Sequence, residues 1–260
     1  LLNAEELDHK DTPVNLADTS IGLDHVSFSY DGENEVLHDV SLSIQPGTMT
    51  ALVGPSGSGK STVAMLIAGY WDVTSGSITL GGHELKEIPL SKIAAQISYV
   101  SQDNYLFNRS IRENIRMGRP DATDAEVEQA AKMASAHSFI IRLEHGYDTV
   151  LEGDGANLSQ GQRQLINIAR AAISKAPILI LDEATSSVDT RTEKHIEKGM
   201  DRLMAERTTL VIAHRLSTVR NANAIMVLEQ GEIIERGDHD ALLAQNGRYH
   251  ELYTGKTELD

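Results

Sequence analysis

The sequence predicts an α/β fold that has a mostly parallel sheet, an antiparallel strand pair near the N-terminus and an inserted helical segment. Short apolar segments with the length and alternation of strands occur toward both ends of the chain. Segments with helical periodicity separate several of them, which is typical of parallel sheets. In the middle, residues 110–174 have helical periodicity and are dominated by alanine and charged residues.

The N-terminal part is predicted to be mostly strand. Apolar side chains alternate in residues 21–30, so that Leu23, Val26 and Phe28 face one side of a strand. A Pro-Gly turn at residues 46–47 precedes a short apolar strand that runs into a glycine-rich loop. The strands predicted here are residues 21–30, 40–44, 48–53, 77–80 and 97–100. The predicted helices are residues 59–68 and 90–96.

The middle and C-terminal parts are predicted to be helical and then mixed. The clearest helical spacing lies in residues 124–136 and 160–173. Strands then return, with helices between the first two and after the last. These strands are residues 178–181, 209–212, 224–228 and 232–234.

Composition excludes several classes of function. The net charge is −15 and no run of lysine and arginine interrupts the acidity, which disfavours nucleic acid or an anionic membrane surface as a partner. The chain has no cysteine, so disulfides, thiolate metal sites and a thiol nucleophile are excluded. The apolar segments are shorter than the roughly 20 residues that span a bilayer. Residues 1–19 are polar and acidic, without periodicity or the pattern of a signal peptide, and we interpret them as a linker or cut end.

The glycine-rich loop predicts a phosphate site. Residues 54–61 match the pattern G-x-x-x-x-G-K-[ST], and they follow a predicted strand and precede a predicted helix. Glycines let backbone N–H groups close around phosphates, and Lys60 is expected to neutralise the β and γ oxygens. The Ser61 hydroxyl can bind Mg²⁺, and Thr62 is placed to contact the α-phosphate.

Two acidic residues end a later apolar strand. Asp182 and Glu183 follow residues 178–181, and Asp182 is the carboxylate we expect on the Mg²⁺ side of the site. Because side chains alternate along a strand end, Glu183 is expected to point elsewhere, toward a water that could attack the γ-phosphate. We therefore assign Glu183 as the general base.

Polar and aromatic residues follow three other strands. Gln102 and His214 come shortly after predicted strands, at the sheet edge where open α/β folds bind ligands. Gln102 is expected to bind Mg²⁺ or water, and His214 to donate a hydrogen bond to the γ-phosphate. Tyr30 ends the first strand and is available to stack on adenine. The other interpretation is that its side chain covers the hydrophobic core at the edge of the sheet. For Trp71 we favour a place in the core.

A second helix start also has the features of an anion site. Ser159 is a natural N-cap, and Gly161 in the first turn allows a phosphate to approach the backbone closely. A helix N-terminus carries about half a positive charge. One nucleotide does not need two such sites, so the pattern favours a nucleotide held between two chains.

Together these residues resemble the nucleotide-binding domain of an ATP-binding cassette (ABC) transporter, and the resemblance covers about residues 21–253. The signature has Gln160 where the family most often has glycine, a tolerated variation. The counterparts of the family's motifs are the aromatic Tyr30, Walker A at residues 54–62, the Q-loop Gln102, the signature at residues 158–162, Walker B at residues 178–182, the catalytic acid Glu183, the D-loop at residues 186–189 and the switch His214.

The resemblance implies an ATPase with a P-loop NTPase (RecA-like) core, and implies ATP and Mg²⁺ as its ligands. Glu183, His214 and Gln102 would be catalytic, and Ser61, Gln102 and Asp182 would hold the metal. The implied nucleotide-binding residues are Tyr30, Gly54, Pro55, Ser56, Gly57, Ser58, Gly59, Lys60, Ser61, Thr62, Ser159, Gly161, Gln162 and Asp189. Two such domains would stack head to tail, each signature covering the ATP held by the other Walker A loop.

Two segments resemble the exporter branch of the family, in which membrane and nucleotide domains are fused. Residues 101–107 together with residues 110–115 would form the groove for a coupling helix of the transmembrane domain. In the second segment, residues 152–157 ahead of the signature, Glu152 would lie in the loop that contacts the partner's coupling helices. Residues 1–19 would then be the linker from that missing domain. The nucleotide-binding domain would span residues 20–255, with an inserted helical subdomain at about residues 103–174. This implies a soluble domain at the cytoplasmic face of the cell membrane.

Other functions remain open at this point. The leading alternative is a cytosolic, non-transport ABC ATPase that acts on ribosomes or DNA, and a third is a regulatory nucleotide-binding module without turnover. A homodimer and a heterodimer are both compatible with the sequence. Substrate and direction are not encoded here, and residues 70–73 also resemble exporter-fold members that handle siderophores, which would allow import.

Overall fold

The structure is a computed structural model that describes residues 9–182, 190–205, 207–213 and 216–255. The chain forms two compact units. The first contains residues 1–97, 177–183 and 207–260, and the second contains residues 98–176 and 184–206.

The described residues form ten strands and ten α-helices. The strands are β1 (Ile21–Ser29), β2 (Glu35–Ile44), β3 (Met49–Val53), β4 (Ser75–Leu80), β5 (His83–Glu84), β6 (Ile97–Val100), β7 (Ile178–Asp182), β8 (Thr208–Ile212), β9 (Ala224–Glu229) and β10 (Glu232–Gly237). The helices are α1 (Lys60–Ile67), α2 (Leu90–Gln96), α3 (Ile111–Arg116), α4 (Asp124–Met133), α5 (His137–Ile140), α6 (Gln160–Ser174), α7 (Thr190–Met204), α8 (Leu216–Arg220), α9 (His239–Gln245) and α10 (Arg248–Tyr253).

The smaller sheet of the first unit is antiparallel. Its strand order is β2-β1-β4-β5. The apolar residues that alternate along β1 are its buried ones, including Val26 and Phe28. The predicted N-terminal antiparallel pair is confirmed, and two further strands extend it.

The larger sheet of the first unit is mostly parallel and carries the site. Within this unit its order is β10-β9-β3-β8-β7. β3 pairs in parallel with both β8 and β9, and only β10 is antiparallel. Every residue of β7 and β8 is buried, as expected for strands covered on both faces. Because Ile212 pairs with both Leu52 and Asp182, these three strands end at one edge.

The second unit is built around α6. This helix packs against α3, α4 and α7 through a buried apolar stripe that includes Leu165, Ile168 and Ala172. The helix predicted at residues 124–136 is shorter than expected. α4 ends at Met133 because Ser135 has a φ of 61°, which an α-helix does not accommodate, and α5 begins two residues later. Among the described residues, no helix has both the length and the apolar character needed to cross a membrane.

Candidate functional site

The glycine-rich loop connects β3 to α1 and turns sharply. Gly54, Gly57 and Gly59 have φ values of 147°, 75° and 102°, which side-chain-bearing residues rarely adopt. A Cβ on Gly54 would lie 2.0 Å from the Leu228 carbonyl oxygen, so only glycine fits there. Gly59 is the N-cap of α1 and contributes no side-chain hydrogen bond to it. The helix therefore begins with N–H groups directed to the loop, as a phosphate site requires.

The ammonium group of Lys60 is buried inside this loop. It donates hydrogen bonds to the carbonyl oxygens of Gly54 and Pro55, each at 2.8 Å, and to the Ser58 hydroxyl at 3.3 Å. Ser58 also closes the loop, since its N–H donates to the Pro55 carbonyl. Ser56 and Gly57 form the exposed crest. The loop thus holds one positive charge at the point where the sequence predicts phosphate oxygens.

Ser61 and Asp182 meet as the sequence predicts. The Ser61 hydroxyl donates to Asp182 Oδ2 at 3.1 Å, and Asp182 is 9% exposed at the end of β7. β8 lies between β7 and β3, so Asp182 comes from the second strand along the sheet. A hydroxyl and a carboxylate oxygen are donors that Mg²⁺ prefers, and this pair fits that ion.

A hairpin turn that the sequence analysis missed supports the loop. Gln230 and Gly231 join β9 to β10 with φ values of 50° and 81°, as in a type I′ turn. The Gly231 N–H donates to the Ser58 carbonyl at 3.1 Å, and its own carbonyl accepts from the His38 N–H at 2.9 Å. The glycine between two short predicted strands was the available signal. The sequence could not show which loop the turn contacts.

Tyr30 is held next to the phosphate loop. Its hydroxyl makes a 3.0 Å hydrogen bond with the Thr62 hydroxyl on α1, and the residue is 43% exposed. Its ring packs edge-to-face with Phe28 and Trp71, at centroid distances of 4.7 and 5.3 Å. The expected core position of Trp71 is wrong, because that residue is 43% exposed beside Tyr30.

The turn after Tyr30 is closed by the carboxylate of Asp31. It accepts hydrogen bonds from the N–H groups of Asn34 and Glu33, and from the Asn34 amide and the Ser29 hydroxyl. These bonds, led by that from the Asn34 N–H, hold the pKa of Asp31 well below its usual range. These hydrogen bonds fix the turn that follows Tyr30.

In the second unit, the signature residues form a helix cap. Ser159 is the exposed N-cap of α6, and its hydroxyl accepts the Gln162 N–H at 3.2 Å. The Gln162 side chain accepts the Ser159 N–H at 3.0 Å, which completes a capping box. Gly161 is buried in the first turn. The Gln162 side-chain oxygen thus serves the cap, a role that the sequence analysis did not assign to it.

The remaining predicted residues divide into two groups. Gln102 is exposed, two residues after the end of β6 in the second unit. Glu183, Asp189 and His214 lie outside the described residues. The assignments of these three residues remain predictions. β7 ends at Asp182, directly before Glu183, and the N–H of Ala213, directly before His214, donates to the Leu52 carbonyl.

These observations define an ATP-binding P-loop fold. A strand leads through a glycine-rich loop into a helix, Lys60 lies in the loop, and Asp182 lies beside Ser61. The ABC transporter family model matches residues 37–186. The chain belongs to the ABC transporter family, and it is an ATPase domain of that family. Both the recognition and the fold class predicted from the sequence are thereby confirmed.

Known proteins support the same assignment. The chain is 49% identical over 243 residues to a protein of Staphylococcus aureus (strain NCTC 8325 / PS 47) that carries the name of a multidrug export ATP-binding/permease protein. A protein of the same name from the bovine strain RF122 / ET3-1 is 47% identical. In both cases the match covers 93% of this chain and 42% of the relative, so the chain spans less than half the length of these relatives.

A solved structure agrees closely with the fold. A bacterial Atm1-family ABC exporter with ATP bound superimposes with a TM-score of 0.90 at 40% identity. The match covers 97% of this chain and 45% of that one.

Proposed function

We propose that this chain is the nucleotide-binding domain of an exporter, in which it hydrolyses ATP with Mg²⁺ to power the movement of a substrate across a membrane. The observation that carries the proposal is the 3.1 Å contact between the Ser61 hydroxyl and the Asp182 carboxylate beside the loop that holds Lys60. Residues 1–19 would link this domain, residues 20–255, to a transmembrane domain. The relatives that carry the names of exporters support this organisation, since this chain covers 42% and 45% of their length.

Each residue of the proposed site has a distinct task. Lys60 neutralises the phosphate oxygens, and the backbone N–H groups around Gly57 and Gly59 bind them. Ser61 and Asp182 would hold Mg²⁺, with Gln102 as a further ligand, and the ion would offset the charge that develops on the phosphates. Glu183 accepts the proton of the attacking water, and that water's oxygen bonds to the γ-phosphorus as ADP leaves.

The signature residues would act on the nucleotide of a second domain. Ser159 is exposed at the N-terminus of α6, where its hydroxyl proton can be donated while its oxygen accepts the Gln162 N–H. Two domains would then stack head to tail around two ATP molecules, with Asp189 at their interface. ATP would stabilise the closed dimer because it binds to the Walker A loop of one domain and to the signature of the other. Hydrolysis would remove this stabilisation.

Opening and closing of the pair would drive coupling helices of the transmembrane domain, at the cytoplasmic face of the cell membrane. The cytosolic, non-transport alternative has no support from the relatives described above, which carry the names of exporters. The net charge of −15 also disfavours the nucleic-acid partners of that alternative.

Replacement of Glu183 by glutamine tests the proposal. Glu183→Gln keeps the shape of the side chain but cannot accept a proton, so we expect ATP hydrolysis to fall by roughly 100-fold or more while ATP binding persists. A dimer should accumulate in ATP, measured by light scattering. The matched control is Glu144→Gln, at an exposed carboxylate of the second unit. Unchanged hydrolysis in Glu183→Gln would show that Glu183 is not the base.

A further inference from the structure

Trp71 is the one tryptophan of the sequence, and it lies at the far end of the helix that begins in the phosphate loop. α1 ends at Ile67, and Gly69, with a φ of 74°, turns the chain out of the helix. The next residues, 70–74, form a corner that returns toward β1. We call this segment the corner.

The corner is tied to the strand that carries Phe28 and Tyr30. The Thr74 N–H donates to the Ser27 carbonyl at 3.0 Å, and the Ser29 N–H donates to the Thr74 hydroxyl at 3.1 Å. The Trp71 ring thereby stands almost perpendicular to the ring of Tyr30, at an interplanar angle of 88°. It also meets Phe28, at a centroid distance of 6.2 Å.

The N-terminal segment, residues 9–19, anchors the corner from the other side. The side chain of His9 is 3% exposed. Its Nδ1 donates to the Ile88 carbonyl at 2.9 Å, and its Nε2 lies 3.5 Å from Asp72 Oδ1. Backbone hydrogen bonds from Lys10 to Lys86 and from Ala17 to Gly81 hold the rest of the segment against the same part of the unit.

The packing around the corner is incomplete on one side. A space of about 200 Å³ adjoins Trp71 and Asp72 and is bordered by Ile78, Leu85 and Lys86. Close packing normally fixes an aromatic side chain, and on this side of the corner it does not. The ring contacts that restrict the indole are therefore those with Phe28 and Tyr30, while the buried His9 ring lies beside the neighbouring Asp72.

We propose that Trp71 is a positioning residue of the nucleobase site, and that the buried His9 ring supports it by anchoring the N-terminal segment beside Asp72. Trp71 fixes the orientation of the Tyr30 ring, so that the exposed part of the ring receives the base of the nucleotide. The inference rests on the proposed function, since it assigns the Tyr30 surface to the base of ATP. The proposed nucleotide site would then include the N-terminal segment and Trp71 in addition to the phosphate loop.

Loss of the Trp71 side chain should reduce only the part of the binding free energy that comes from the nucleobase. Without the indole, Tyr30 keeps its bond to Thr62 and its contact with Phe28, but its ring can turn away from the stacking position. Loss of one edge-to-face contact corresponds to a roughly three- to tenfold change in affinity. Inorganic tripolyphosphate has the phosphates of ATP without its base, so its binding to the loop at residues 54–62 is unaffected.

Calorimetric binding of ATP and of tripolyphosphate to the 260-residue chain tests the proposal. We expect Trp71→Ala to weaken ATP binding roughly three- to tenfold and to leave tripolyphosphate binding within about twofold. Trp71→Phe keeps an aromatic edge and should restore most of the lost affinity. His9→Ala should weaken ATP binding about two- to fourfold and shift the tryptophan emission, which reports on Trp71 alone. Addition of ATP to the wild-type chain should change the same emission.

Lys10→Ala is the matched control, because it removes an exposed ion pair with Glu87 from the same segment. It should change neither affinity. Equal weakening of ATP and tripolyphosphate in Trp71→Ala and in His9→Ala would overturn the proposal, and so would unchanged ATP binding in Trp71→Ala. Failure of the wild-type chain to bind either ligand would instead contradict the proposed function.

Discussion

The Ser61 hydroxyl and the Asp182 carboxylate belong to segments that are 121 residues apart in the chain, and the sheet brings them within 3.1 Å. The pair depends on the parallel register that ends β3, β8 and β7 at one edge. At the scale of single residues, the site is therefore a consequence of strand pairing.

Substitution of Asp182 by asparagine should separate metal binding from nucleotide binding. Asparagine has the same shape and can still accept a bond from Ser61, but it lacks the charge that attracts Mg²⁺. We expect ATP hydrolysis to fall by roughly 100-fold, and the gain in ATP affinity on addition of Mg²⁺ to be largely lost. Binding titrations with and without Mg²⁺ measure this.

The control for that substitution is Asp238→Asn. Asp238 is the N-cap of α9, and asparagine caps a helix as well as aspartate does, so hydrolysis and stability should stay close to wild type. If Asp182→Asn retains its full response to Mg²⁺, the metal is held elsewhere.

At the scale of elements, the turn of the β9–β10 hairpin supports the phosphate loop through a backbone hydrogen bond. Its turn is wedged between the loop and β2: a Cβ on Gly231 would lie 2.4 Å from the Val36 carbonyl oxygen. Gly231 also has a φ of 81° and donates to the Ser58 carbonyl. A side chain here must displace backbone on one side or the other.

We therefore expect Gly231→Ala to lower the free energy of unfolding by about 2–4 kcal/mol, combining left-handed strain with the clash. It should also weaken ATP binding, because Ser58 belongs to the loop that is proposed to bind the phosphates. Gly47→Ala is the matched control. Gly47 has a φ of 69°, but a Cβ there meets nothing within 4 Å, so only the conformational cost of about 1–2 kcal/mol applies. Chemical denaturation and ATP titration compare the two, and equal effects would refute the supporting role of the hairpin.

The elements that the sequence predicts best are those with a strong period or a local stop signal. The predicted bounds of α2 and β6 agree with the structure, because Pro89 and the change of period mark them. β2 begins five residues earlier than predicted, at Glu35, because the polar residues His38 and Asp39 interrupt the apolar alternation, whereas pairing with β1 places Leu37 opposite Phe28. The loop at residues 54–61 was recognised from its pattern. The supports given by Gly231, Trp71 and His9 were not, because they join segments that are distant in the chain.

At the scale of the whole molecule, charge sets the conditions for association. Each chain carries a net charge of −15, so two chains that approach each other repel at low ionic strength. The proposed pair must overcome this repulsion through the bound nucleotides, whose Mg²⁺ partly offsets the negative charge of the phosphates. A nucleic-acid-binding protein has the opposite dependence, because its affinity falls steeply as salt rises.

Raising the NaCl concentration should therefore strengthen the ATP-dependent dimer. An increase from about 0.1 M to about 1 M shortens the Debye length from about 10 Å to about 3 Å, which screens the repulsion between the chains. We expect the dimer dissociation constant of Glu183→Gln in ATP to fall several-fold, measured by analytical ultracentrifugation. Ser159→Arg in the same background should stay monomeric at both concentrations, since it places a bulky cation where the signature would meet the partner's nucleotide. A dimer that weakens tenfold or more with salt would show that attraction between charged patches holds the two chains together, and that the net charge does not govern their association.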